Sequence, residues 1–289
     1  QGPHAAAQEQ ARSQAVKITR LDLDGVGSPM GLAARIHEVE DLPLAVPLEE
    51  LCKALDIFSI EETETSAFEA ALVTDATRSS GHILVNRGSP RSRQRFSIAH
   101  ELGHFLIEAH QPGADQQRQC ALGDFHQLDL RSKDRRRRVE GEANTFAAHL
   151  LMPPRRIREY IGRSGVSLES LIAMAREFAV SKEAMARAFV EAHRDPVALV
   201  VSRHGRVEQF YRHEDFPFLS ISLGKLLPRD AIAADPTEPG ATSEAEEVEP
   251  DTWLSDRDAE HILVITEQVL GQSNGYALTL LQAGLDDDE

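Results

Sequence analysis

The amino-acid sequence predicts an α+β protein in which a helical core carries a small antiparallel sheet and is followed by a helical hairpin and a β-rich C-terminal domain. Three observations support this prediction. Two long segments have helical spacing of apolar residues, short β-like runs precede them, and two hairpin signals follow residue 195. The fold class therefore comes from periodicity and turn signals, because the composition is ordinary.

The composition excludes several classes of protein. The chain has 289 residues, 41% of them hydrophobic and 27% charged, as is usual for a soluble globular protein of one large or two modest domains. A net charge of −16 argues against a protein that coats nucleic acid or an anionic membrane. Two cysteines are too few for a disulfide scaffold. No apolar run approaches the roughly 20 residues that span a bilayer, and without an apolar signal region we expect a cytoplasmic protein.

The first part of the chain predicts a loose start, two short helices and a sheet. Residues 1–30 are polar, and residues 1–4 are typical of a cleavage scar left after expression. Helical spacing follows at 32–39 and 48–55. Short β-like runs separated by polar turns then predict the small antiparallel sheet, at 57–60, 70–73 and 82–85.

Two long helices are predicted next, from about Ser92 to His110 and from about Asp134 to Leu151, each followed by proline. The polar stretch 113–134 between them predicts a loop. Turns then separate two or three shorter helices between 153 and 192.

The C-terminal region predicts two β-hairpins, around His204-Gly205 and around Ser273-Asn274-Gly275. Between them, residues rich in Pro, Gly, Ser and Glu predict a mobile acidic loop at 235–252. We therefore expect four segments: a loose N-terminal segment (1–30), a core (31–160), a helical segment similar to a helix-turn-helix (161–194) and a C-terminal α/β sensor or docking domain (195–289).

The motif of greatest chemical interest, His100-Glu101-Leu102-Gly103-His104, lies inside the first long helix. Positions i and i+4 of a helix lie on one face, so both imidazoles can reach the same metal ion. Glu101 lies beside the first histidine, where it can accept a proton from a water activated by that ion. Nitrogen and oxygen ligands suit zinc, and a catalytic zinc site keeps one position open for water.

A third protein ligand is required, because two histidines do not complete a tetrahedral site. The second long helix offers two carboxylates. Glu140 shares a face with Asn144, whereas Glu142 shares a neighbouring face with Phe146 and His149. The small alanines that follow allow another helix to approach closely, so a carboxylate one turn before them can reach the histidines.

The chain resembles the ImmA/IrrE family of zinc metallopeptidases in two stretches, Arg95-Phe96-Ser97-Ile98-Ala99-His100-Glu101-Leu102-Gly103-His104 and Glu140-x-Glu142-Ala143-Asn144-x-Phe146-Ala147-Ala148-x-Leu150-Leu151-Met152-Pro153. A third stretch, Ala175-x-x-Phe178-x-Val180-Ser181-x-x-Ala184-x-x-Arg187, is similar to the helical continuation of that family. The resemblance covers roughly residues 30–190 and implies a zincin-like metallopeptidase core at 31–160.

The resemblance also implies roles for individual residues. His100 and His104 are expected to bind zinc, with manganese as an in vitro substitute, and Glu101 to act as general base. Glu140 is the expected third ligand, with Glu142 as its competitor. His149 stands where the family often has an acidic or polar residue, so it is given no metal role.

The expected substrate cleft includes His82, Asn86, Asn144 and His149. An extended peptide substrate is expected to pair with a sheet edge formed by residues 82–86. The donor that stabilises the oxyanion is not identified by the sequence. Candidates for it are His82, His110 and His126.

Three further features have both an ordinary and a functional interpretation. Cys120 is an ordinary loop cysteine or a thiol that masks the open zinc position. The run Arg135-Arg136-Arg137-Arg138 is a solvated face or a contact for nucleic acid or an acidic partner. Residues 167–189 form a helix-turn-helix or, because Ser181-Lys182-Glu183-Ala184 is nearly neutral, a structural hairpin packed against the protease core. We prefer the ordinary interpretation in each case.

Members of the family are typically cytoplasmic proteases that cut a DNA-binding repressor. The resemblance therefore implies a zinc-dependent endopeptidase that cleaves a regulatory protein and induces a stress or mobile-element response, with neither nucleic acid nor a membrane as direct ligand. One alternative is a DNA-binding or protein-binding transcription regulator with a non-catalytic metal site, and another is a scaffold or antitoxin-like protein that keeps the motif without activity. In some relatives the domain after the peptidase is GAF-like, but no residue in 195–289 establishes this.

Overall fold

The computed structural model describes residues 16–75, 77–110, 118–120, 135–235 and 238–285. The chain divides into two compact units, residues 1–153 and 154–289. The division falls between Pro153 and Pro154, where proline interrupts helical hydrogen bonding. The helical segment expected at 161–194 therefore lies in the same unit as the C-terminal strands.

The described part of the first unit contains a 3₁₀ turn (Arg20–Leu23) and four α-helices. The helices are α1 (Pro29–Val39), α2 (Leu48–Ala54), α3 (Arg91–Leu106) and α4 (Arg135–Leu151). Helix α1 begins three residues before the predicted start, because Ser28 accepts a hydrogen bond from the Gly31 N–H and Pro29 occupies the first turn. Helix α4 packs against both α1 and α3.

The sheet of the first unit has the strand order β1-β3-β2-β4, with β1 (Ile57–Thr63), β2 (Ala70–Thr74), β3 (Gly81–Asn86) and β4 (Arg118–Cys120). Two of its pairs are antiparallel, β2–β3 and β2–β4, but β1 and β3 run parallel. Strand β4 lies within the stretch 113–134 that was expected to be a loop.

Strand β3 is an inner strand of this sheet, hydrogen-bonded to β1 on one side and β2 on the other. The expectation that residues 82–86 form a free edge for a substrate strand is therefore wrong. The alternation of polar and apolar residues shows which side chains share a face, but it does not show which strands become neighbours.

One face of the sheet packs against α3, which contacts β2 and β3. Ile83 and Val85 are buried on β3. At Gly81 an added Cβ would lie 2.6 Å from Ile57 Cδ1 and 3.3 Å from Phe105 Cδ2, so the strand has no room for a side chain there. The glycine lets the C-terminal end of α3 approach the sheet closely.

The second unit begins with the helices α5 (Pro154–Ser164), α6 (Leu168–Glu177) and α7 (Lys182–Ala192) and later has the short α8 (Asp256–Ala259). Its antiparallel sheet has the order β6-β5-β9-β8-β7. The strands are β5 (Val197–Arg203), β6 (Arg206–Arg212), β7 (Glu246–Val248), β8 (Ile262–Gly271) and β9 (Tyr276–Leu285). Both predicted hairpins are present in this sheet.

The expected acidic loop, residues 235–252, contains regular structure. It includes β7, which pairs with β8 at the edge of the sheet, and a 3₁₀ turn at Pro250–Thr252. Residues 236 and 237 lie outside the described part of the chain. The abundance of Pro and Gly here predicted a mobile loop, but pairing with a long neighbouring strand fixes part of it.

The hairpin of α6 and α7 packs within the second unit, where α6 contacts β8 and α7 contacts β5 and β6. These contacts place the hairpin against the sheet of its own unit. The segment 213–261 contributes Phe216, Trp253 and Leu254 to an apolar cluster with the sheet residues Val200 and Val269. Across the described residues, no helix is both long and apolar enough to cross a membrane.

Candidate metal centre

Helix α3 places two imidazoles together in the interior of the first unit. His100 and His104 are separated by one helical turn and are almost fully buried. Their Nε2 atoms lie 3.0 Å apart. Buried imidazoles in this arrangement direct two nitrogen lone pairs into one small volume.

Helix α4 brings a carboxylate to the same point. Glu140 Oε2 lies 3.2 Å from His100 Nε2 and 3.2 Å from His104 Nε2. One ligand atom from each of the three residues lies within 4.8 Å of the other two, and this is the one such group of metal-ligating side chains among the described residues. Two imidazole nitrogens and a carboxylate oxygen match the donor set of a three-ligand zinc site.

The pKa shifts of His104 and Glu140 also fit a metal ion. Burial lowers the pKa of His104 to about 3, and the hydrogen bond with Glu140 only partly opposes this. Burial by itself raises the pKa of Glu140, but hydrogen bonds and charges of the two histidines outweigh it and hold that pKa well below its usual range. A neutral imidazole and an ionised carboxylate are the forms that bind metals.

Close packing of α3 on α4 lets the carboxylate reach the histidines. Gly103 faces Phe146, and a Cβ added to the glycine would lie 2.9 Å from Phe146 Cδ1 and 3.3 Å from its Cβ. A side chain at position 103 would require Phe146 to shift. The glycine inside the motif therefore lets Phe146 of α4 pack directly against α3.

Both histidines have a second partner at Nδ1. Asn144 Oδ1 lies 2.9 Å from His100 Nδ1, and His110 Nδ1 lies 3.0 Å from His104 Nδ1. Glu142, the expected competitor of Glu140, lies with its Oε2 2.8 Å from His110 Nε2. Of the two glutamates, Glu140 contacts the paired imidazoles and Glu142 contacts the histidine behind them.

Glu101 is fully buried in the same turn of α3 as His100. The helix places its backbone directly beside that of His100. The structure thus brings His100, Glu101, His104, Glu140 and Asn144 into one region of the first unit.

The other predicted cleft residues lie elsewhere. His82 is exposed, on the opposite face of β3 from the buried Ile83, and its Nδ1 lies 2.9 Å from Ser59 Oγ. Asn86 accepts a hydrogen bond from the Gly88 N–H in the turn after β3. His149 Nδ1 hydrogen-bonds the carbonyl of Thr145 in its own helix at 2.9 Å.

The remaining predicted residues are the oxyanion donors, Cys120 and the arginine run at 135–138. Among the expected oxyanion donors His110 is buried behind His104, and His126 lies outside the described residues. Cys120 ends β4, but its side chain also lies outside the described part. The arginines at 135–138 are exposed in the first turn of α4.

Arg78 is a buried residue that was not among the predicted site residues. Its Nη1 donates to the carbonyls of His104, Phe105 and Ile107 at 3.1, 3.1 and 2.9 Å, and its Nη2 donates to that of Glu108 at 3.1 Å. A helix leaves its last carbonyls without intrahelical partners, so Arg78 caps the helix that carries both histidines. It has a positive φ of 50° and follows no periodic pattern, so the sequence carries no signal for this role.

Comparisons with known proteins identify relatives of this part of the chain. The family model of the IrrE N-terminal-like domain (Peptidase_M78) matches residues 58–189, a range that includes His100, His104 and Glu140. The radiation response metalloprotease IrrE of Deinococcus radiodurans is 33% identical over 125 residues, covering 43% of this chain and 35% of that protein. Its namesake from Deinococcus deserti is 35% identical over 127 residues, covering 44% and 42%. The matched part of the chain thus spans about two-fifths of these relatives.

A solved structure shares the fold over a longer part of the chain. A Mycobacterium tuberculosis transcriptional regulator superposes with a TM-score of 0.51 at 16% identity, covering 88% of this chain and 75% of that one. At this identity the likeness concerns the fold alone. It agrees with the predicted α+β class.

Proposed function

We propose that this protein is a zinc-dependent endopeptidase. The premise is the match of residues 58–189 to the IrrE N-terminal-like domain, which confirms the resemblance to the ImmA/IrrE family. The substrate of the endopeptidase is a regulatory protein, a DNA-binding transcriptional repressor, and cleavage induces a stress or mobile-element response. The names of both Deinococcus relatives support a metalloprotease that acts in a stress response. The setting is cytoplasmic, and the net charge of −16 disfavours nucleic acid as a direct ligand.

The observation that carries the proposal is the convergence of three ligand atoms from two helices. His100 Nε2, His104 Nε2 and Glu140 Oε2 meet in the interior, with the carboxylate oxygen 3.2 Å from each nitrogen. Catalytic zinc sites have three protein ligands, whereas structural sites have four. Manganese would take the same nitrogen and oxygen ligands in vitro.

Zinc held by His100, His104 and Glu140 would supply Lewis acidity for the scissile carbonyl and would lower the pKa of water to about 7. Glu101 accepts the proton of the attacking water and then delivers it to the leaving amine nitrogen. Glu101 follows His100 directly in α3 and is fully buried. Asn144 holds the ring of His100 in place through Nδ1.

The test is cleavage of the repressor encoded nearest the gene of this protein. The purified chain, supplied with zinc, should cut that repressor at one or a few bonds, which mass spectrometry locates. Glu101→Gln should bind zinc but lose cleavage by about 10²–10⁴-fold, the usual contribution of a general base. The matched control is Glu38→Gln, an exposed glutamate of α1, which should cleave like the parent.

Equal cleavage by the parent and Glu101→Gln would contradict the proposed role of Glu101. A parent that binds zinc but cuts neither this repressor nor any other protein made from the same gene region would contradict the proposed function.

A second candidate function is a DNA-binding or protein-binding transcription regulator with a non-catalytic metal site. The observation that favours it is the hairpin of α6 and α7, whose N-cap side chains Ser167 and Ser181 mark two well-defined short helices. DNA binding that persists in Glu101→Gln, with no cleavage of any partner, would support this second function.

A further inference from the structure

The hydrogen bonds behind the two histidines differ in kind. His100 Nδ1 faces the amide oxygen of Asn144 at 2.9 Å, whereas His104 Nδ1 faces another ring nitrogen, His110 Nδ1, at 3.0 Å. A neutral imidazole that offers Nε2 to a metal carries its proton on Nδ1 and donates there. An amide oxygen always accepts such a bond, but a histidine nitrogen accepts only when it carries no proton.

This requirement fixes the tautomer of His110. If its Nδ1 accepts from His104, its own proton is on Nε2, which lies 2.8 Å from Glu142 Oε2. An ionised carboxylate can only accept a hydrogen bond, so the last contact suits this tautomer and no other neutral form. The two hydrogen bonds therefore have the same direction. His104 donates to His110, and His110 donates to Glu142.

Two separate parts of the chain hold this arrangement in place. His110 is 1% exposed and lies in the turn after α3, where its N–H donates to the carbonyl of Ile107 at 3.0 Å. Arg78 donates to the same carbonyl at 2.9 Å and so fixes the turn. Glu142 lies on α4 one turn after Arg138, whose Nε is 3.9 Å from its Oε1.

We propose that His110 and Glu142 are positioning residues of the metal centre, which hold His104 in the tautomer that presents Nε2 and make its imidazole a stronger metal ligand. Such outer partners tune metal affinity through the ligand they contact. Here an imidazole is interposed between the ligand and the carboxylate. The inference rests on the proposed function, because it requires His104 to bind the metal.

The test measures the Zn²⁺ dissociation constant of the full chain by competition with a chromophoric chelator, and the visible absorption of the Co²⁺-loaded protein. Glu142→Gln keeps an acceptor oxygen but removes the charge, and Glu142→Ala removes both. We expect the Kd to rise about 10-fold in the first variant and up to about 100-fold in the second. His110→Asn should behave like Glu142→Ala, and each variant should shift the Co²⁺ bands.

Two exposed residues provide matched controls, Glu38→Gln on α1 and His261→Asn in the second unit. Both should keep the parental Kd within about twofold, because surface substitutions away from a site have little effect. Thermal unfolding of the metal-free variants checks that each is folded. If Glu142→Ala does not fold, the isosteric Glu142→Gln supplies the comparison.

The outcomes separate this inference from the proposed function. A parent that binds no zinc overturns both. A parent that binds zinc, with Glu142→Gln and His110→Asn at the parental Kd and with unchanged Co²⁺ bands, overturns only the positioning role. Loss of zinc in Glu142→Ala together with its retention in Glu140→Gln also overturns it, because Glu142 would then itself be the ligand.

Discussion

Two carboxylates, one partly buried in the first unit and one fully buried in the second, have opposite surroundings. Glu140 lies 3.2 Å from each of two imidazoles, and its pKa is held well below the usual range even though burial opposes this. Glu267 is fully buried and accepts hydrogen bonds of 2.8 Å from Trp253 Nε1 and the Ala233 N–H. Burial raises the pKa of Glu267, and these hydrogen bonds oppose the shift without reversing it.

The difference shows that the partners of an acidic side chain decide its role. Imidazoles are metal ligands themselves, so a carboxylate among them completes a site for a cation. Glu267 has neutral donors from the segment 213–261, which covers the sheet that carries it. Glu140 therefore belongs to a candidate metal site, whereas Glu267 holds the segment 213–261 against the sheet of the second unit.

The largest effect is expected when Glu140 and Glu267 are each replaced by glutamine in separate variants. Glu140→Gln should weaken zinc binding by more than the roughly 10–100-fold that loss of an outer partner costs, because it removes a charged ligand. Glu267→Gln should leave the zinc Kd unchanged. Chelator competition measures both, and a similar loss in the two variants would remove the distinction between the acids.

Glu267→Ala should lower the free energy of unfolding of the second unit by about 2–5 kcal/mol, because it leaves two buried N–H donors without an acceptor. Trp253 is the single tryptophan of the chain and lies in this unit, so its fluorescence in a urea titration reports the change. Glu246→Ala, at an exposed position of β7, is the control and should change little. If Glu267→Ala has the same free energy of unfolding as the parent, the hydrogen bonds of Glu267 do not stabilise the second unit.

A pair of glycine substitutions tests the packing of each unit. Gly103→Ala should destabilise the first unit by about 1–3 kcal/mol and weaken zinc binding, because the added Cβ meets Phe146. Gly162→Ala in α5 meets no atom within 4 Å and should stabilise the second unit by about 0.5–1 kcal/mol. Differential scanning calorimetry distinguishes the two, and a stabilising Gly103→Ala would contradict the close approach of α3 and α4.

The smallest effect concerns the pH dependence of the free energy of unfolding of the second unit. Burial lowers the pKa of His193, with a small further lowering from His213, while contacts with Asp195 oppose the shift. The unfolded chain therefore binds this proton more readily than the folded unit, and stability should fall as the pH drops below about 6.5. The slope should be at most about 1.4 kcal/mol per pH unit.

His193→Gln should flatten that slope, and urea titrations between pH 7 and about pH 5 followed by Trp253 fluorescence measure it. His204→Gln, on the turn between β5 and β6, is the matched control. An unchanged slope in His193→Gln would show that this residue is not the source.

Much of the fold follows from local pattern. Helix α4 and both C-terminal hairpins agree with the sequence-based expectations, because their periodicity and turn residues act within a few positions. The parallel pairing of β1 with β3 and the strand β7 were not predicted. Which strands become neighbours depends on contacts between distant residues, and the alternation of side chains carries no such information.

The candidate site shows the same division between local and long-range information. The pairing of His100 with His104 follows from helical spacing alone. The different positions of Glu140 and Glu142 depend on His110, which lies beyond the end of α3, and on the turn held by Arg78. Spacing within α4 could not decide which of the two glutamates is the metal ligand, because His110, the residue that contacts Glu142, lies on another element.

The most direct test of the account is X-ray absorption at the zinc edge of the loaded protein. We expect about one zinc per chain, with two imidazole nitrogens and otherwise only oxygen at about 2.0–2.2 Å. Loss of the imidazole signal in His100→Ala and His104→Ala would then identify the ligands. A bound zinc with fewer than two imidazoles, or a chain that takes up no zinc at all, would contradict the central claim that α3 and α4 together form a metal site.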